Sequence, residues 1–235
     1  MKMNSHTNIV RIKAVYNGLQ EFRDQVVFVG GAVVSLYMER TAEDVRETKD
    51  VDIIVGIYSR VKFAELEDRL RAIGFKNDTT AKFMGRFILD STIVDVMPIE
   101  EGILGFPNKW YKEGYNNSIL HKIDDLVTVR IFTAPYFLAS KLEAFNDRGK
   151  NTAGEYDGRQ SSDFEDIVYL LVYRKSIWEE IAATTGDLKS YLIQELKRWS
   201  AIPYFEEWID AQTSYYSPVA YFLVMPQLRK LLETE

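Results

Sequence analysis

The runs with the length and β-branched content of strands crowd into the first hundred residues of this 235-residue chain. VVFV (26–29), VDIIV (51–55), FMGRFILD (83–90) and TIVDVM (92–97) are short, apolar and bounded by Gly, Asp or Ser. The last two flank Asp90-Ser91, a turn that makes them a hairpin. Between them the pattern turns helical: Ser59 caps a helix with Phe63, Leu66, Leu70 and Ile73 on one face and Gly74 at its end. AVVSLYMER (32–40) reads as another helix, following the glycine pair Gly30-Gly31.

After Thr133 the texture is almost wholly helical. Thr133 is placed to cap a helix with Pro135 in its first turn and Gly149 at its end. A polar loop, KNTAGEYDGRQ, leads to SSDFEDIVYLLVYRK, where Ser162 and Glu165 have the spacing of a capping box. Leu188, Leu192, Ile193, Leu196 and Trp199 mark a further helix, and Ser217-Pro218 opens a last one. The expected fold is α/β: a mixed-sheet domain over residues 1–130, then a helical domain over 131–235. Residues 125–133 lack linker composition, so the two are expected to pack together.

Composition narrows the function classes. With 46% hydrophobic and 27% charged residues the chain has the makings of a core. It has no cysteine, which excludes disulfides and thiolate metal sites, and His6 and His121 are too few for a histidine metal centre. No signal-peptide core or membrane-length apolar run is present, so a cytoplasmic location without membrane attachment is expected. A net charge of -6 disfavours coating of nucleic acid by charge alone.

The acids in the apolar runs carry the chemistry. In an extended strand, residues two apart share a face, so Asp50 and Asp52 project together, opposite Val51, Ile53 and Val55. Like charges that close need a cation between them, and carboxylate oxygens are the ligands Mg²⁺ prefers. Asp95 lies in a second apolar strand; if the strands adjoin, the three carboxylates converge, enough for two metal ions about 4 Å apart. The plainer alternatives are solvated strand ends for the pair and a nearby Lys or Arg for Asp95. Gly30 and Gly31, between an apolar run and a helical one, allow backbone N–H groups close to a phosphate; alone, such a pair is a tight turn.

In the second half, Lys141, Ala144 and Arg148 are spaced to lie on one helix face. Asp163 and Asp166 share a face in the first turn of the next helix, where negative charge is favourable. Ordinary salt bridges between the two helices account for this pattern as readily as a binding site does. Arg86 reads as a phosphate contact or an exposed strand residue, and the aromatic segment 105–115 as a base-stacking platform or a packed loop. Lys49 falls opposite the acids by strand alternation.

Taken together, the residues resemble the nucleotidyltransferase fold of the DNA polymerase β superfamily: a glycine pair opening a helix, Thr48-x-Asp50-x-Asp52, and an acid on a later strand at Asp95. Lys141-Leu142-Glu143-Ala144, Arg148 and Asp163-x-x-Asp166 are similar to the K-L-x-A…R…D-x-x-D pattern of AbiEii-type nucleotidyltransferases, toxins of bacterial toxin-antitoxin and phage-defence pairs. The likeness spans residues 26–175. It departs at Gly31, where the family often has Ser, and at Ser162, where a basic residue commonly stands.

The resemblance implies metal ligation by Asp50, Asp52 and Asp95, with two Mg²⁺ expected and Mn²⁺ as a substitute. It implies nucleotide binding by Gly30, Gly31, Thr48, Lys141, Arg148 and Asp166, and catalytic roles for Lys141 and Asp163 beside the three acids. The implied activity is NMP transfer from an NTP to a hydroxyl of RNA, tRNA or protein, with a cognate antitoxin as partner. A small-molecule, antibiotic-type nucleotidyltransferase and a non-catalytic nucleotide-binding module are the alternatives.

Overall fold

The computed structural model describes residues 4–38, 45–100, 102–105, 108–213 and 220–233. The chain divides into two compact units, one of Met1–Leu36 and Glu43–Thr133, the other of Tyr37–Ala42 and Ala134–Glu235. Tyr37 belongs with the second because its ring packs 4.5 Å from that of Phe137 and its carbonyl accepts from Arg174 at 3.1 Å.

The first unit is built on a seven-stranded mixed sheet of β1 (Val26–Val29), β2 (Asp50–Val55), β3 (Lys76–Asn77), β4 (Arg86–Leu89), β5 (Thr92–Pro98), β6 (Ile119–Lys122) and β7 (Thr128–Ile131), in the order β3-β4-β5-β2-β1-β7-β6. β5 runs parallel to β2 and β7 parallel to β1, while the other pairings are antiparallel. The central strands are largely apolar: all four residues of β1 are buried, as are Val51, Ile53, Ile54 and Val55 of β2, while Asp50 and Asp52 lie half-buried at the start of β2. The β4–β5 hairpin turns at Asp90-Ser91, with Asp90 at φ 53°.

Helix α1 (Asn4–Gly18) precedes the sheet, and α2 (Arg60–Ala72) follows β2. Ser59 Oγ caps α2 by accepting from the Lys62 N–H, and Phe63, Leu66 and Leu70 form its buried stripe. The helix at the glycine pair is a 3-10 helix, Gly31–Tyr37, buried throughout except at Ser35. The sheet continues through β7, past the expected end at residue 130, so the first unit extends to Thr133.

α1 has a structural duty that its sequence does not advertise. Asn8, fully buried on it, donates from Nδ2 to the Arg46 carbonyl at 2.9 Å and accepts from the Thr48 N–H at 3.0 Å. Arg11, one turn on, donates to the Thr48 carbonyl and to Glu47 at 2.7 Å. Both backbone groups held by Asn8 precede β2 directly. Asn8→Ala strands them in a dry place, so a loss of about 2 kcal/mol is expected. A shift of the urea midpoint at unchanged m-value checks it.

After α3 (Tyr111–Asn116), the second unit comprises α4 (Ala134–Arg148), α5 (Ser162–Tyr173), α6 (Ile177–Ala182), α7 (Gly186–Ser200), α8 (Phe205–Thr213) and α9 (Ala220–Glu233). Its core is aromatic: Phe145 lies 5.3 Å from Phe164, 4.9 Å from Trp199 and 6.0 Å from Trp208 between ring centroids. The capping box expected at Ser162 does not form: Ser161 is the cap and accepts from the Phe164 N–H, and the residue three beyond it is Phe164, which cannot reach back. Ser217-Pro218 lies outside the described residues. None of the described helices is long and apolar enough to cross a membrane.

Candidate active site

The acids come together through strand register. β2 and β5 lie side by side in parallel with Asp52 opposite Asp95, and β4 pairs with β5 so that Arg86 is opposite Asp95. Directly opposed residues share a face, so Arg86, Asp95 and Asp52 form a row across three strands. Asp50, two residues before Asp52, belongs to the same face.

The cation among these acids is Arg86. Its Nε donates to Asp95 Oδ1 and its Nη2 to Asp95 Oδ2, both at 2.7 Å, a two-pronged pair. The same Nη2 lies 3.8 Å from Asp50 Oδ2. Hydrogen bonding to Asp95, reinforced by the charges of Asp95, Asp50 and Asp52, holds the guanidinium protonated well beyond its usual range. The Asp95 side chain is 11% exposed, that of Arg86 29% and that of Asp50 38%, so the row runs from a buried acid to an open one.

Gly30 stands directly against this face. Val29 is opposite Asp52, and Gly30 follows with φ +74°; a Cβ there would lie 1.8 Å from Asp52 Oδ2. The Asp52 carboxylate occupies the volume that any other side chain would need. Gly31 is buried at the start of the 3-10 helix. Thr48 is buried too, its hydroxyl donating to the Asp50 carbonyl at 2.9 Å, so it braces the strand that carries the acids. Lys49 is exposed.

Hard carboxylate oxygens on one face are the donor set a divalent cation such as Mg²⁺ takes. Asp50 and Asp52 supply such oxygens, with Arg86 3.8 Å from Asp50. Asp95 has both oxygens engaged by Arg86, and among the described residues no group of three acids or histidines is gathered closely enough to hold one ion.

In the second unit, the Lys-Arg stripe of α4 meets the two acids of α5. Lys141 Nζ lies 2.5 Å from Asp166 Oδ2 and 3.3 Å from Asp163 Oδ1, with all three side chains buried. Arg148 adds a fork onto Asp163, with Nε to Oδ2 at 2.7 Å and Nη2 to Oδ1 at 2.8 Å. Burial alone would push the Asp163 carboxyl up; the charges of Lys141 and Arg148 and their hydrogen bonds outweigh it and leave its pKa below the ordinary value. Arg148 is the half-exposed member, 53% open, and borders a 300 Å³ cavity with Lys150, Gln160 and Ser162.

The structure thus gathers the expected residues into two groups, each within its own unit: Gly30, Thr48, Asp50, Asp52 and Asp95 in the first, Lys141, Arg148, Asp163 and Asp166 in the second. Three side chains gain parts that the sequence reading did not give them. Arg86 is the counter-ion of the acids, and Asn8 and Arg11 pin the segment before β2.

No protein-family model and no curated protein matches this chain. Among solved structures, it is similar to an antigenic nucleotidyltransferase-like protein from Paracoccidioides brasiliensis, at 14% identity and a TM-score of 0.48 over 90% of this chain and 95% of that one. It is also similar to ANT(2")-Ia in complex with adenylyl-2"-tobramycin, at 13% identity and a TM-score of 0.48 over 82% and 99% of the two chains. A solution structure of the antibiotic-resistance factor ANT(2'')-Ia aligns at 12% identity and a TM-score of 0.46, over 78% and 96%.

Proposed function

We propose that this protein is a metal-dependent nucleotidyltransferase that moves NMP from an NTP to a hydroxyl acceptor. The observation that carries the reading is the row of carboxylates, Asp50, Asp52 and Asp95, set by strand register on one face of the sheet. A structural role does not call for three acids there, because grouping like charges costs stability. Asp50 and Asp52, with Asp95, would hold Mg²⁺ or Mn²⁺, which neutralises triphosphate charge and polarises the phosphoryl group.

In the reaction, the acceptor oxygen bonds to the α-phosphorus while the bond from that phosphorus to the α,β-bridging oxygen breaks, releasing pyrophosphate. The hydroxyl proton passes to a carboxylate of the row and from there to solvent. Arg86 limits the repulsion among the acids. Gly30 leaves room for the Asp52 carboxylate, and Asn8 and Thr48 fix the start of β2 so that Asp50 and Asp52 keep their face. Arg148, the open member of the second cluster, is assigned to anionic ligand, while Lys141, Asp163 and Asp166 hold α4 to α5.

The sequence resemblance to AbiEii-type enzymes points to RNA, tRNA or a protein as acceptor, and to a toxin held in check by a cognate antitoxin. Purified protein incubated with Mg²⁺, each α-labelled NTP and total cell RNA and protein should label one acceptor class. Asp52→Asn should cut that labelling at least about 100-fold, the scale of losing one preorganised electrostatic group. Transfer that survives in Asp52→Asn would sink the proposal. Labelling of an aminoglycoside instead of a macromolecule would replace the acceptor, and NTP binding without transfer would make the protein a binding module. Growth arrest on expression, relieved by a neighbouring gene product, supports the toxin role.

A further inference from the structure

The acid row already contains a cation, and it is covalently part of the chain. Arg86 takes both oxygens of Asp95, and the nitrogen that bonds Asp95 Oδ2 is also the one nearest Asp50 Oδ2. Asp52 is the register partner of Asp95 on the next strand. The guanidinium therefore sits where the carboxylates converge and supplies the positive charge they need. It has N–H donors only and does not deprotonate, so it has no lone pair to offer a metal. A divalent cation that ligates Asp95 must take oxygen lone pairs that Arg86 N–H groups now use, and must do so against a neighbouring positive charge.

We propose that Arg86 is an exchangeable counter-ion: it neutralises and assembles the acid face when no metal is bound, and a divalent cation binds by displacing its fork from Asp95. The inference rests on the reading of this face as a divalent-cation site and adds a competitor for it. Its consequence is a weakened apparent affinity, because binding is taxed by the equilibrium that keeps Asp95 on Arg86. The free protein stays folded around three acids without metal, and the metal site completes only as the ion arrives.

Two measurements on the whole chain decide it, neither of them activity. Calorimetric titration of MnCl₂ into metal-free protein should show Arg86→Met binding at least about tenfold more tightly than wild type, since the competitor and its tax are gone. Its thermal midpoint without metal should be lower than wild type, and added Mn²⁺ should raise it by more.

Removing a positive charge tightens cation binding even without exchange, and the variant carries a risk of misfolding. The second measurement therefore uses wild type: the Arg86 Nε–H resonance, assigned by its absence in Arg86→Lys, followed during titration with diamagnetic Mg²⁺. Displacement predicts a several-fold faster exchange of that proton with water once Mg²⁺ is bound. If calorimetry shows Mg²⁺ bound and the Nε–H is undisturbed, exchange is excluded, whatever Arg86→Met does. Equal or weaker Mn²⁺ affinity in Arg86→Met also overturns it and leaves the cation-site reading standing, whereas no binding by either protein overturns both.

Discussion

Lys141→Met is expected to lower the stability of the second unit by about 3–5 kcal/mol, the range for removing one partner from a buried ion pair. Lys141 lies between two carboxylates that are each 3% exposed. Arg148 continues to hold Asp163 in the variant, but Asp166 loses the ammonium 2.5 Å from its Oδ2 and remains in the interior. Methionine fills similar space, so the loss reports charge and not a cavity. Three of the four tryptophans, Trp178, Trp199 and Trp208, lie in this unit and Trp110 in the first, so the urea transition of tryptophan fluorescence, followed in a Trp110→Phe background, reports this unit. Adding Asp166→Asn to Lys141→Met should recover part of the loss, because a buried negative charge is then gone; the double-mutant cycle measures the coupling. A loss under about 1 kcal/mol, the scale of an exposed pair, would show that Lys141 is not buried between these acids.

The same cluster sets an acid limit. Asp163 has a folded pKa below its ordinary 3.8, so its contribution is fully present above that value and disappears as pH falls toward the folded one. Asp163→Asn should therefore destabilise at neutral pH, and its melting curve should approach that of wild type as pH drops below 3.8.

The two ion clusters differ in how far local sequence reaches. The α4–α5 cluster is helical arithmetic: Lys141 and Arg148 are seven apart on one face and Asp163 and Asp166 three apart on another, so a single helix contact brings them together. The Arg86–Asp95 pair was equally available. A two-residue turn at Asp90-Ser91 makes Leu89 face Thr92, and counting outward puts Arg86 opposite Asp95. Arg86 reads as an exposed strand residue only when that register is not followed through. The parallel pairing of Asp52 with Asp95 has no such local clue, since the strands are joined by a long crossover and nothing near either acid fixes their offset.

The short strands that escaped the sequence reading lack an apolar period of their own. β3 has two residues, β6 is largely exposed, and β7 alternates over only four positions. β7 joins the sheet beside β1 by tertiary pairing, which moved the end of the first unit from 130 to Thr133. Asn8 gives no pattern at all: one polar residue in a helix becomes structural only through backbone groups 38 and 40 positions away.

Gly30→Ala should be nearly as costly as losing the buried lysine, and for a reason the motif alone does not supply. A glycine ahead of a helix suggests a backbone that approaches phosphate, but in the structure its missing side chain makes room for a carboxylate. An alanine at φ +74° carries strain of about 1–2 kcal/mol. Its Cβ also falls 1.8 Å from Asp52 Oδ2 and 2.6 Å from Asp52 Cγ, well inside van der Waals contact. Either β1 and β2 separate or Asp52 leaves its rotamer, and overpacking of this kind adds about 1–3 kcal/mol. The carboxylate is the more mobile of the two, so the greater effect should fall on chemistry: Mn²⁺ affinity and NMP transfer should drop further than the melting temperature accounts for. Gly30→Ala combined with Asp52→Gly, which removes the obstructing carboxylate, should regain stability without regaining transfer. If Gly30→Ala alone kept both stability and metal binding, Asp52 would not lie against Gly30, and the placement of the acid row would have to be redrawn.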